Sequence, residues 1–87
     1  MNTITTASGF SFELDEARLD DMELFDAIVA LQGGDKTALP AVVGKIMGTD
    51  KKRLYDHLRA ENGTVPVEKV MAEISEIMEA AKPAKNS

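Results

Sequence analysis

The spacing of apolar residues changes at Leu14. Up to that point the period is two: Phe10, Phe12 and Leu14 alternate with Ser11 and Glu13, which puts both phenylalanines on one face of a strand. Ile4 lies among β-favouring threonines. Ala7-Ser8-Gly9 separates the two runs and can turn, with Gly9 free to take positive φ. The pattern predicts a β-hairpin of Thr3–Thr6 with Phe10–Glu13. Two strands alone are marginal in water, so this hairpin must lie on helices or pair with another chain. In the first case Phe10 and Phe12 cap the core. In the second they stand beside an open edge and become candidates for partner contact by strand addition.

Beyond Leu14 the apolar residues recur at three and four. Asp15 to Gln32 reads as helical, with Asp15 capping a first turn through Leu19 and Asp20 capping a restart. Leu24, Ile28 and Leu31 share one face with Phe25 and Val29 beside them, and Gly33-Gly34 ends the segment. A shorter helix follows over Asp35 to Gly48. Thr37 can cap it, Pro40 falls in its first turn, and Leu39, Val42, Val43, Ile46 and Met47 form its stripe. Gly44 in mid-helix implies close packing against a neighbour. The next helix runs from Thr49 to the Asn62-Gly63 stop, capped by Thr49 or Asp50, with Leu54, Tyr55 and Leu58 inward. Pro66 opens the last one, Thr64 to Lys82, where Val67, Val70, Met71, Ile74, Ile77, Met78 and Ala81 recur over about four turns. Glu68, Glu73, Glu76 and Glu79 are placed on its wetter side. Near Ile77, Met78 and Ala81 the stripe runs past what the short preceding helices cover, so these three are candidates for partner contact.

The expected fold is therefore mainly α: one domain over residues 1–82, a small bundle of about four helices with a short N-terminal hairpin (residues 3–13), then a disordered tail over residues 83–87. The 87 residues have room for one domain with little stability to spare. There is no cysteine and one histidine, so disulfides and a protein-only zinc site are not expected. No cofactor is implied. The longest apolar run is too short to span a bilayer, and no signal-peptide pattern precedes it, which points to the cytoplasm and away from a membrane.

Catalytic motifs are missing from the sequence: there is no G-x-S-x-G, P-loop or H-E-x-x-H. Ser8, Ser11, Ser75 and Ser87 have no base nearby in sequence, and His57 has no evident partner. A binding protein is expected rather than an enzyme. Ala38–Leu58 also reads as a helix-turn-helix, with Lys51, Lys52 and Arg53 opening a recognition helix whose N-terminal residues would meet base edges. Against that, the net charge is −5, the Asp15–Asp26 segment is strongly acidic, and Asp50 and Asp56 sit on the same helix. Nucleic acid is therefore not the expected partner. A small prophage DNA-binding regulator remains the alternative.

Taken end to end, the order of motifs resembles a known family. Ser8-Gly9-Phe10-Ser11-Phe12-Glu13-Leu14-Asp15 leads into Leu19-Asp20-Asp21-Met22-Glu23-Leu24. Ala38-Leu39-Pro40-Ala41-Val42-Val43 follows, then Leu54-Tyr55-Asp56-His57-Leu58-Arg59, Asn62-Gly63-Thr64-Val65-Pro66 and Val70-Met71-Ala72-Glu73-Ile74. The whole, from about Ser8 to Ala81, resembles the small tail assembly chaperones of long-tailed phages and prophages of Gram-positive bacteria. That resemblance implies binding to the long helical tape measure protein, which is kept soluble while tail tube protein assembles around it. It implies absence from the mature virion. A homo-oligomer, as a ring or helical coat, is natural for a protein that lines a long filament. Members commonly have a longer form made by ribosomal frameshifting. Ala84-Lys85-Asn86 can be encoded with the slippery heptamer A AAA AAC, which the codons of the gene will test.

Overall fold

The computed structural model describes residues 2–81. Among them are two strands, β1 (Asn2–Thr5) and β2 (Ser11–Leu14), and four α-helices: α1 (Met22–Gln32), α2 (Leu39–Met47), α3 (Lys51–Leu58) and α4 (Val67–Ala81). The protein is mainly α with a short N-terminal hairpin, as the periodicity predicts. The expected tail over residues 83–87 lies outside the described residues.

The hairpin is antiparallel, pairing Thr3 with Glu13 and Ile4 with Phe12. Antiparallel pairing of the expected ranges gives the same register, although the ladder sits one residue further from the turn. The Gly9 N–H donates to the Thr6 carbonyl at 2.9 Å. Gly9 takes φ 93°, which closes a short loop that a residue with Cβ would strain. Ile4, Phe10, Phe12 and Leu14 turn to the core.

Asp15 caps a 3-10 turn over Glu16–Leu19, as expected, but Asp21 rather than Asp20 starts α1. The Asp20 N–H is turned back to the Ala17 carbonyl, so the chain becomes free to start a helix one residue later. Asp21 Oδ1 then accepts from the Glu23 N–H at 2.8 Å. At the other end the Asp35 N–H donates to the Ala30 carbonyl and the Gly34 N–H to that of Leu31, with Gly34 at φ 103°. This is the Schellman arrangement expected of a glycine stop.

Asp35, not Thr37, caps the next segment. Its Oδ1 accepts from both the backbone N–H and the hydroxyl of Thr37, and a 3-10 turn over Lys36–Ala38 runs into α2. All five residues of the expected α2 stripe are buried: Leu39, Val42, Val43, Ile46 and Met47. Gly44 has no close neighbour, since a Cβ there would meet only Lys51 Nζ at 3.9 Å. Close packing therefore does not explain that glycine. Gly48 turns the chain from α2 through a 3-10 turn (Gly48–Asp50) into α3, with the Arg18 guanidinium lying over it. Neither Thr49 nor Asp50 caps α3 with its side chain.

Helix α3 stops at Leu58, five residues before the predicted glycine. Arg59 is extended, and residues 60–64 form a turn of their own, in which the Asn62 side chain accepts from the Thr64 N–H and hydroxyl. Asparagine competes with helical bonding in this way. Leu54, Leu58, Val70, Ile74 and Ile77 complete the core. Val67, expected in the α4 stripe, is 53% exposed at the start of the helix. Helix α1 packs on α2, while α4 packs on α3 and β1.

Candidate functional site

Of the residues expected to meet a partner, Phe10, Phe12 and Ile77 are engaged in the core. Their exposures are 4%, 4% and 0%. The Phe10 ring is held between three groups: the Arg53 guanidinium 5.0 Å away, the His57 ring at 5.4 Å and Phe12 at 5.9 Å. These side chains are thus not available to a partner of the folded chain. Met78 and Ala81 are half-buried, and Met78 faces an opening.

That opening is a groove of about 470 Å³ between α1 and α4. Ile28 and Leu31 stand on one side, Met71, Ile74 and Met78 on the other, and the fully buried Val42 of α2 forms the floor. Gln32, Ser75 and Glu79 complete the lining. The apolar surface continues outward along α1, where Met22 is 67% exposed, Phe25 58% and Val29 52%. These three lie three and four residues apart and so share a face. Sequence reasoning placed Phe25 and Val29 beside the core stripe and missed that they stay in water. The signal was present: the apolar arc on α1 is wider than one neighbouring helix can cover.

The basic triplet is tied down locally. Lys51 Nζ lies 5.7 Å from the centre of the Tyr55 ring, and Lys52 pairs with Asp56 at 3.0 Å. Arg53 donates to Asp50 at 3.0 Å and to the Ser11 carbonyl at 3.3 Å, joining α3 to the hairpin. The acidic start of α1 is answered instead by Lys45, which reaches Asp21 at 3.2 Å and Glu23 at 2.9 Å.

The turn of the hairpin brings together residues distant in sequence. His57 Nε2 lies 3.1 Å from both Ser8 Oγ and the Ser8 carbonyl oxygen, and the Ala7 N–H donates to Glu76 at 2.7 Å. Ser8 therefore does have an imidazole beside it. With its hydrogen on Nε2 the ring donates to the Ser8 carbonyl, and in the other tautomer Nε2 accepts from the Ser8 hydroxyl. The contact fastens the hairpin to α3. Next to it, Ser8, His57, Leu58, Arg59, Lys69 and Glu73 line a cavity of about 390 Å³.

Glu73 was expected on the wet face of the last helix and is instead 5% exposed, with Oε1 lacking a hydrogen-bond partner among the described residues. Its spacing from Val70 and Ile77, three and four residues, already placed it on the apolar stripe. Charge alone suggested otherwise. No group of three or more His, Cys, Asp or Glu suited to a metal ion occurs among the described residues. Nor is any helix among them long and apolar enough to cross a membrane.

Three groups, two half-buried and one exposed, have shifted acidities. Hydrogen bonding from Lys45, then from the Glu23 N–H, holds Asp21 below its ordinary value of 3.8. Lys52, then Arg59, does the same for Asp56. Hydrogen bonds to Glu23 and then Asp21 raise Lys45 above 10.5. The two aspartates therefore contribute stability that is fully present above 3.8 and lost as pH falls through their lowered values. The Lys45 contribution is present below 10.5 and lost as pH rises through its raised value. Lys45→Met is expected to remove the alkaline loss and the larger part of the Asp21 share of the acid loss, leaving the part due to the Glu23 N–H and the Asp56 share. Melting curves taken across both ends of the pH range will check this, and an unchanged alkaline limb in the variant counts against the assignment.

Comparison with models of protein families, with curated proteins and with solved structures finds no match.

Proposed function

We propose that this protein is a tail assembly chaperone of a long-tailed phage or prophage, which holds apolar helical segments of the tape measure protein in the α1–α4 groove. The observation that carries the proposal is the groove itself. Its volume of about 470 Å³ falls within the roughly 300–1,000 Å³ typical of ligand clefts, and most of its lining is apolar. An amphipathic helix laid in such a groove presents its apolar stripe to both walls. Met71 and Met78 suit a long client with varied side chains, because methionine re-packs easily. The ordered motifs of the sequence point the same way.

In this reading the chain binds without catalysis in the host cytoplasm. Several copies coat one client while tail tube protein assembles, and the chaperone is absent from the finished virion. The regulator alternative has less support, because Arg53 is bound to Asp50 and the hairpin and Lys52 is paired with Asp56.

Co-expression with the tape measure protein of the same gene cluster tests the proposal. The wild-type chain is expected to raise the soluble fraction of the client, and the Met71→Gln/Met78→Gln variant to lose that effect while remaining folded. No gain in solubility with the wild-type chain sinks the reading. Salt-sensitive binding to duplex DNA, lost when Lys51 and Lys52 are neutralised, would establish the regulator instead.

A further inference from the structure

We infer that Asn62 is a site of spontaneous deamidation, which the folded turn at residues 60–64 holds unreactive. Asn62-Gly63 places a carboxamide beside a residue without Cβ, whose amide nitrogen is the least hindered toward it. The Gly63 nitrogen loses its proton and attacks Asn62 Cγ. The new N–C bond closes a five-membered succinimide, and the Cγ–Nδ2 bond breaks to release ammonia. Water then opens the ring at one carbonyl or the other, giving aspartate or isoaspartate. Asn62, Gly63 and Thr64 are exposed, so water reaches the site.

What the fold withholds is freedom to move. Asn62 Oδ1 accepts from the Thr64 N–H at 3.0 Å and from the Thr64 hydroxyl at 2.7 Å, which fixes the carboxamide. The Gly63 N–H donates to the Ala60 carbonyl at 2.9 Å, so the attacking nitrogen is tied through the proton it must lose. The Gly63 carbonyl accepts from Arg59 Nη1 at 2.9 Å, and the Ala60 N–H closes the turn on the Thr64 carbonyl at 2.7 Å. Ring closure has to turn the carboxamide and the Asn62–Gly63 peptide toward each other, and these bonds resist it. Reaction therefore passes through local opening of the turn, and its rate follows the open fraction. The two products differ in effect. Aspartate keeps an acceptor for both Thr64 donors. Isoaspartate adds a methylene to the main chain inside the turn, which can no longer close on the same bonds. Since residues 60–64 join α3 to α4, the isoaspartate form loses stability.

The test incubates the full chain in mildly alkaline buffer, folded and in guanidinium chloride, and follows the peptide holding Asn62 by mass spectrometry. Deamidation raises its mass by one unit, and chromatography separates aspartate from isoaspartate. Conversion is expected in guanidinium chloride and should be at least about tenfold slower in the folded chain. Thr64→Val replaces the hydroxyl donor with a methyl group of similar shape at an exposed position. With its fold checked by circular dichroism, this variant should convert roughly fivefold faster than the wild type, the usual weight of one hydrogen bond. Isoaspartate-containing chain, refolded from guanidinium chloride, should melt below Asn62→Asp. Equal rates in the folded and unfolded chains, or a folded Thr64→Val variant no faster than the wild type, overturns the guarding role of the turn. No conversion in guanidinium chloride overturns the site itself, and equal melting of the two products overturns the effect assigned to isoaspartate.

Discussion

Ile77→Gln is expected to unfold the protein, whereas Met78→Gln leaves it folded and impairs client binding. The two residues are neighbours on α4, and both were candidates for partner contact. Their surroundings differ. Ile77 is 0% exposed at the centre of the core, while Met78 is half-buried at the groove wall. Truncating a buried isoleucine costs about 2–5 kcal/mol, and leaving a buried amide without partners adds about 1–3 kcal/mol. A small domain has only about 5–15 kcal/mol in total, and a chain this short belongs near the lower end. At about 4–8 °C per kcal/mol, the melting temperature of Ile77→Gln should fall by at least about 12 °C. Met78→Gln keeps the side-chain length and sends the amide toward open water, so its cost should stay near 1 kcal/mol or below. Thermal melts followed by circular dichroism measure both. Similar losses of stability in the two variants would show that Met78 is a core residue and not part of a groove.

Glu73→Met is expected to stabilise the protein by about 1–3 kcal/mol, the penalty usually attached to a buried polar atom without a partner. Glu73 lies within the Val70, Ile74 and Ile77 stripe, and its Oε1 has no donor among the described residues. Methionine has a similar length, keeps the site filled and adds apolar contact. The gain should appear as a rise of about 4–8 °C in melting temperature for each kcal/mol. Glu73→Ala serves as the control, because it removes the carboxylate but leaves a void, and it should gain less. A lower melting temperature for Glu73→Met would mean that the carboxylate is satisfied in solution, with a water or Lys69 swung inward as the first donors to examine.

The stretch with which α2 and α3 are built shows how far local pattern reaches. Leu39, Val42, Val43, Ile46, Met47, Leu54 and Leu58 are all buried, as their spacing predicts. Helix ends were legible where glycine sets them, at Gly33-Gly34 and Gly48. They were misread where a side chain competes: Asp35 replaced Thr37 as a cap, and Asn62 drew residues 60–64 into a separate turn. The candidate site was legible only in part. Of the residues expected to meet a partner, Met78 stands at the groove wall, whereas Phe10, Phe12 and Ile77 are buried in the core.

Periodicity settles which elements form and which arc of each is apolar, because backbone hydrogen bonding and side-chain direction repeat every two or about 3.6 residues. It is silent on how much of that arc a neighbour covers. Coverage depends on how the helices cross and how far apart they stand, and those follow from side-chain packing between residues remote in sequence. Hence the separation of α1 from α4 was visible only once the helices were in place, as was the degree to which Phe25 and Val29 are exposed and Glu73 is buried, although the spacing of all three carried a signal. The same holds for His57 meeting Ser8, 49 residues away. Each is a distance between elements, and no repeat within one element records it.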